Sequence, residues 1–288
     1  MNTTMLITIA IPTYNNEDTI AIAIKSALDQ DYENDYEILI VNNASKDGTQ
    51  GVIESFKDDK IRIVVNKETY DMYTNHNICL EEAKGDYILY CHSDDELMPN
   101  ALTLLSNRIK ERKYPARYIL WGHSLFRDFN TSIIRGGQHV NTMFSGEAAV
   151  RCFLYGGLTP SGTCYSRKPL LEIGGFPSSN SKAPEMDWVV MVLAAFNCFE
   201  FEMLDRIYFK RKDASTAVRG MTNKEIIEIH KDALEKMFSR MSEEQMSFFI
   251  NQLISSPSLD MLSSVKGYIS KKTYIKRRIK ISLGKLLY

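Results

Sequence analysis

Residues 86–99, DYILYCHSDDELMP, run a strand-like apolar stretch straight into a knot of charge. Tyr87 to Cys91 read as a buried strand. His92, Ser93, Asp94, Asp95 and Glu96 follow at once, and Pro99 ends the segment. Adjacent carboxylates raise each other's cost of ionising, so the cluster calls for a cation. Hard oxygen ligands without a cysteine pair or several histidines suit Mg²⁺ or Mn²⁺ better than zinc. Mg²⁺ commonly takes one or two protein carboxylates and completes its shell with phosphate and water. The chemistry implied is a metal-bridged pyrophosphate on a nucleotide ligand.

A second acidic centre, PEMDW, puts Glu185 and Asp187 in the first turn of a predicted helix. A carboxylate there is a charge that the helix dipole favours. FKRKDAS supplies Arg211 and Lys212, a basic pair that reads by itself as a solvated loop.

The elements that must position these groups alternate strand and helix over the first hundred residues. MLITIAI (5–11) is continuously apolar, as a strand buried on both faces should be. NNEDTIAIAIKSALDQ follows as an amphipathic helix, with Asn15 or Asn16 as the expected N-cap and acids in the first turn. EILIV (37–41), IRIVV (61–65) and the opening segment give three more strands, separated by helices at TQGVIESFK and NHNICLEEAKG. Such alternation implies right-handed crossovers and a mainly parallel sheet, which binds ligands beyond the carboxyl ends of its strands. PTYN, NNASKDGT, Asn66 and HSDDE all fall at that edge. Each alone reads as a turn, and their convergence is what points to a site. Beyond residue 112 the pattern predicts a strand at 117–126, helices at 145–157 and around PEMDWVVMVLAAFN, and a strand at RIYFK. GLTPSGTCYSRKPLLEIGGFP reads as a shaped surface loop rather than core, and the chain beyond Met221 reads as helical. No GxGxxG follows the first strand and no GxxxxGK[ST] occurs, which argues against dinucleotide and P-loop readings. The glycine-rich, Arg- and Lys-bearing loop of sugar nucleotidyltransferases is missing too.

With 288 residues and 44% hydrophobic content, the chain can bury a large core. Its net charge of −1 conceals an asymmetry. From Met261 onward there are eight Lys or Arg and no acid, leaving 27 basic against 36 acidic residues in 1–260. Five scattered cysteines without a CxxC read as free thiols in a reducing compartment. The amino terminus lacks the pattern of a signal peptide or membrane span. A cytoplasmic protein is expected, peripheral on the inner membrane face through its tail.

IAIPTYNNEDTIAIAIKSALDQDY, EILIVNNASKDGT, GDYILYCHSDDELMP and GGFP…PEMDW resemble, in order, the motifs of the family 2 inverting glycosyltransferases. The resemblance spans roughly residues 5–215 and implies the α/β GT-A nucleotide-diphospho-sugar transferase fold. It further implies a catalytic domain over 1–220, with a donor-binding half to about 112 and an acceptor half over 113–220. Residues 221–288 would form a helical extension. On this resemblance Pro12, Thr13, Tyr14 and Asn15 belong to the loop that holds the base. Asn42 and Asn43 stand where the family commonly has aspartates, keeping a carbonyl acceptor for a pyrimidine N3–H. Asp94 matches the metal ligand of the DxD-type motif. Asp95 adjoins it near the metal, ribose and pyrophosphate, Ser93 lies between, and His92 replaces the first aspartate. Asp187 matches the general base, with Glu185 as its rival, and Arg211 and Lys212 face the pyrophosphate.

The activity so implied is Mn²⁺- or Mg²⁺-dependent, inverting transfer of a hexosyl or N-acetylhexosaminyl group from a nucleotide-diphospho-sugar, a UDP-sugar favoured. The acceptor would be a glycan or lipid-linked hydroxyl in cell-surface polysaccharide synthesis. The departures at Asn42, Asn43 and His92 keep a second reading open, a non-catalytic sugar-nucleotide-binding or scaffolding subunit. YIKRRIKISLGKLLY forms an amphipathic basic stripe suited to an anionic membrane through 268–288, each basic residue contributing about 1 kcal/mol near the surface. Packing on the catalytic domain or on a second copy of the chain is the alternative. Nucleic acid is not expected as a partner, because the acidic body would repel it.

Overall fold

The computed structural model describes residues 5–126, 132–133, 141–154, 159–178, 186–211 and 222–255. In chain order the elements are β1 (Ile7–Thr13), α1 (Ile20–Leu28), β2 (Tyr36–Asn42), α2 (Thr49–Ser55), β3 (Ile61–Val65), α3 (Met72–Glu82), β4 (Tyr87–Tyr90), β5 (Glu96–Leu97) and α4 (Ala101–Glu111). The second half continues with β6 (Tyr118–Phe126), β7 (Ser132–Ile133), β8 (Phe144–Ser145), α5 (Gly146–Phe153), β9 (Thr163–Ser166), α6 (Arg167–Glu172), α7 (Met186–Phe196), β10 (Glu200–Arg211), α8 (Asn223–Phe238) and α9 (Glu243–Ser255).

One sheet carries all the described strands in the order β3-β2-β1-β4-β9-β6-β10-β5, with β7 on β6 and β8 on β10. β3, β2, β1 and β4 are parallel throughout, as their apolar runs require. The far side is mixed. β9 lies antiparallel between β4 and β6, while β6 and β10 run parallel. The β9 segment corrects the surface-loop reading of GLTPSGTCYSRKPLL: Cys164 and Tyr165 are buried at the centre of the sheet. Four residues flanked by glycine and proline carry too little periodicity to announce a strand.

The helices cover both faces. Cluster residues from α3, α5, α7, α8 and α9 fill one side around Phe153, Trp188, Phe201 and Phe249. The α1 and α4 residues fill the other around Ile24, Leu102 and Leu105. The start of α1 differs from the sequence expectation. Thr19 precedes the helix and no acid lies in its first turn. Asn15 instead adopts φ 51°, and its side chain and that of Asn16 reach other loops. Residues expected to cap a helix are thus recruited to hold the rim.

Glu202 of β10 lies fully buried among Arg108, Arg112 and Tyr118. Arg112 bonds its two oxygens at 2.7 and 2.9 Å, and Arg108 and the Tyr118 hydroxyl complete the cage. Burial by itself would raise this carboxyl, but the bonds from Arg112 and Tyr118 and the two arginine charges hold it below its ordinary 4.5. A depressed carboxylate contributes stability above its unfolded value and loses it as pH falls through the folded one. Glu202→Gln is expected to lower unfolding free energy by about 2 kcal/mol, since it takes the charged acceptor from the partly exposed Arg108 and Arg112. Urea midpoints measured from neutral pH to below 4.5 check this: the wild type should fall toward the variant as the pH drops.

Candidate active site

Four parallel strands deliver their carboxyl ends to one rim, where neighbouring loops are laced by side chains. Asn15 N–H donates to Ser45 Oγ at 3.0 Å, and Asn15 Oδ1 accepts from Lys46 N–H at 2.8 Å. Asn16 N–H donates to Thr49 Oγ1, and Ser93 Oγ donates to Asn16 Oδ1, both at 2.8 Å. The loops after β1, β2 and β4 are therefore one connected surface. Between them opens a cavity of about 390 Å³ lined by Pro12, Thr13, Tyr14, Asn43, His92, Ser93 and Asp94 and by Thr69, Tyr70 and Met72.

The cavity has an apolar wall and a charged end. Tyr14, Tyr70 and Met72 leave 42%, 36% and 43% of their surface exposed there, enough to sandwich a planar base. Thr13 lines the cavity, and its Oγ1 is buried with no hydrogen-bond partner among the described residues. A buried hydroxyl in that state fits a polar ligand group. Tyr70 and Met72 were not legible as site residues, because only the fold carries α3 back toward β1.

An asparagine lattice holds this wall. Asn43 Nδ2 donates to the Tyr70 carbonyl at 2.9 Å, and Asn43 Oδ1 accepts from Tyr70 N–H at 3.0 Å. Those two backbone partners fix the amide's orientation. Asn66 Nδ2 reaches both Asn43 Oδ1 and Asn75 Oδ1, at 2.9 and 2.8 Å. Asn43 Oδ1, the acceptor expected from sequence to face a base, thus already receives two hydrogen bonds, from Tyr70 N–H and Asn66 Nδ2. Asn42 is set back, its oxygen on Ser45 N–H and its nitrogen on Gln50. An aspartate at 43 would set a carboxylate against the Tyr70 carbonyl, which accounts for an amide at this position.

At the charged end, ligand atoms of His92, Asp94 and Asp95 lie within 4.8 Å of one another. One imidazole and two carboxylates at that spacing fit a divalent ion such as Mn²⁺ or Mg²⁺. Asp95 is buried and accepts from Ser161 Oγ at 2.7 Å; the same Ser161 oxygen accepts from His92 N–H at 2.8 Å. Gly162 makes that contact possible. Its φ is +76°, and a Cβ there would meet the Phe209 ring at 2.7 Å. Lys210 follows the acidic loop in space: its ammonium bonds Glu96 at 2.9 Å where β5 pairs with β10. Arg211 closes β10 beside it, while Lys212 lies outside the described residues.

Asp187 sits in the first turn of α7, half-buried, and accepts from the Tyr73 hydroxyl at 2.8 Å. The Tyr73 ring lies 6.0 Å from His76, whose ring lies 5.0 Å from His92. The two acidic centres are thus bridged by α3. Glu185 lies outside the described residues.

The family model of Glycosyl transferase family 2 matches residues 8–173. Among relatives, the Escherichia coli UDP-Glc:alpha-D-GlcNAc-diphosphoundecaprenol beta-1,3-glucosyltransferase WfaP is 38% identical over 104 residues, covering 36% of this chain and 40% of that protein. The S. aureus TarS 1-349 structure in complex with UDP-GlcNAc superposes with a TM-score of 0.69 at 16% identity, covering 95% of this chain and 79% of that one. The mannosyltransferase PcManGT from Pyrobaculum calidifontis, in complex with GDP-Man and Mn²⁺, superposes at 0.60 with 17% identity, covering 100% and 82%. The curated relatives are matched over 64% of their length or less. The superpositions show the fold, GT-A, and the family model takes in β1 through α6, which carry Tyr14, Tyr70, the acidic cluster and Ser161. The chain belongs to glycosyl transferase family 2.

Proposed function

We propose that the protein is a divalent-metal-dependent, inverting glycosyltransferase. Its donor would be a nucleotide-diphospho-sugar, a UDP-sugar favoured, and its acceptor a hydroxyl of a lipid-linked or cell-surface glycan. The observation that carries this reading is one cavity whose lining joins the exposed rings of Tyr14 and Tyr70 to His92 and Asp94 of the acidic cluster. A base and a diphosphate need those two environments about one nucleotide apart. The acceptor class is supported by the printed activity of the WfaP relative, which uses a diphosphoundecaprenol-linked sugar.

Asp187 takes the proton of the acceptor hydroxyl in this reading. The oxygen then attacks C1 of the sugar from the face opposite the diphosphate, the C1–O bond to the diphosphate breaks, and the configuration inverts. The Tyr73 hydroxyl holds Asp187 in one orientation. His92, Asp94 and Asp95 would hold the ion, which when bound offsets charge developing on the departing diphosphate. Arg211 and Lys212 would add cationic groups at the same end, since β10 ends beside the acidic loop. The division into a donor half to about residue 112, an acceptor half to 220 and a helical extension is proposed on the same basis.

No helix among the described residues is long and apolar enough to cross a membrane. Segment 268–288 lies outside the described residues, and its basic, amphipathic sequence supports a peripheral membrane location on the cytoplasmic face. Incubating the purified chain with Mn²⁺, a panel of UDP- and dTDP-sugars and diphospholipid-linked sugars tests the function. One donor should stabilise the fold by about 2.7 kcal/mol at a hundred times its Kd and yield a lengthened glycan. Binding without transfer from any donor would favour the sugar-nucleotide-binding scaffold instead.

A further inference from the structure

We propose that the nucleobase is held by its faces rather than read on its edge, and that Asn43 is the positioning residue behind this, fastening Tyr70 instead of meeting the base. The site then admits uracil and cytosine with similar affinity. This rests on the donor reading above and adds which bases that donor can carry.

The position where an acceptor for a pyrimidine N3–H is expected is already committed. Asn43 Nδ2 donates to the Tyr70 carbonyl at 2.9 Å and Asn43 Oδ1 accepts from Tyr70 N–H at 3.0 Å, so one side chain closes both main-chain groups of Tyr70. Asn66 Nδ2 donates to the same oxygen at 2.9 Å. An amide oxygen has two lone pairs, and both are taken. The other asparagines of the lining are engaged as well. The Asn16 oxygen accepts from Ser93 Oγ and the Asn75 oxygen from Asn66 Nδ2, each at 2.8 Å. Asp94 is the one carboxylate among the described lining residues, and it belongs to the acidic cluster.

Uracil carries a hydrogen on N3, whereas cytosine carries a lone pair there. Telling them apart needs a group fixed as acceptor or as donor. The buried, unpartnered hydroxyl of the lining, Thr13 Oγ1, is neither, since it rotates to donate or to accept. Any remaining amide hydrogen of Asn43 has an acceptor on both bases, the O2 carbonyl. The faces, by contrast, are provided for. Tyr14, Tyr70 and Met72 line the cavity, and each leaves more than a third of its surface open. Stacking on an aromatic ring tolerates any base, because every base has a π-face. Committing Asn43 to the Tyr70 backbone therefore exchanges edge discrimination for contact with the face.

Titration calorimetry of the full chain with Mn²⁺ and either UDP or CDP tests the proposal. The two dissociation constants should agree within about 10-fold, whereas a site built to hydrogen-bond one edge rejects the analogue lacking it by about 10⁴–10⁵-fold. Tyr70→Ala should weaken both by a similar factor, about 5–150-fold. Asn43→Ala should also weaken both without changing their ratio. It should add little to Tyr70→Ala in the double variant, since the two substitutions act on one ring. A preference of about 100-fold or more for either base in the wild type overturns the proposal and leaves the functional reading standing. Binding of neither diphosphate overturns both. A UDP-to-CDP ratio altered about 10-fold or more by Asn43→Ala, or full additivity with Tyr70→Ala, overturns the positioning role.

Discussion

Asp94→Ala is expected to abolish metal-dependent donor binding, weakening Mn²⁺·UDP by at least about 100-fold, or about 2.8 kcal/mol. Asp94 is the carboxylate of the cluster that lines the cavity, whereas Asp95 is buried behind it on Ser161. On the proposed function, removing Asp94 takes a ligand from the face that would meet the diphosphate while leaving the Ser161 bond to Asp95 intact. Titration calorimetry with UDP in the presence and absence of Mn²⁺ separates the two contributions. The metal-dependent increment should vanish, and the weaker contacts to the base at Tyr14, Tyr70 and Thr13 should persist. An increment unchanged from wild type would remove the acidic cluster from donor binding.

Asp187→Asn should act on the other half of the reaction. The amide keeps a carbonyl that can accept from the Tyr73 hydroxyl, so the local packing at 2.8 Å survives while the capacity to take a proton is lost. Transfer should fall by about 10²–10⁴-fold, the usual contribution of general base catalysis, with donor affinity unchanged. Rapid-quench turnover beside equilibrium binding of the donor makes the distinction. Near-normal turnover would move the base to Glu185 or elsewhere. Because the family match ends at residue 173, the assignment stands on the geometry of α7 and α3 as well as on resemblance.

The positions of the first four strands were legible in the sequence. Uninterrupted Ile, Leu and Val runs have one comfortable place, a strand buried on both faces, and helices between such strands force them parallel. The rim followed, since the topology sends PTYN, NNASKDGT and HSDDE to the same edge. Other features were hidden for a physical reason. Asn15 and Asn16 have the residue types of a helix cap, yet their side chains accept from Lys46 N–H and Ser93 Oγ in other loops. TCYS is too short to show a period, and only its ladders to β4 and β6 make it a central strand.

What the sequence determined by itself is therefore the class of chemistry. Side-chain type decides that Asp94 and Asp95 favour a hard cation, and apolar patterning decides which edge of the sheet they occupy. Tertiary structure alone decided the identity of the partners. The Tyr70 wall, the Asn43 amide turned onto backbone, the Tyr73 hydroxyl on Asp187 across 114 residues and the His76 nitrogen on His92 all depend on contacts between distant segments. Hydrogen-bond direction and proton placement are set by the nearest atom in space, and local sequence carries no record of which atom that will be.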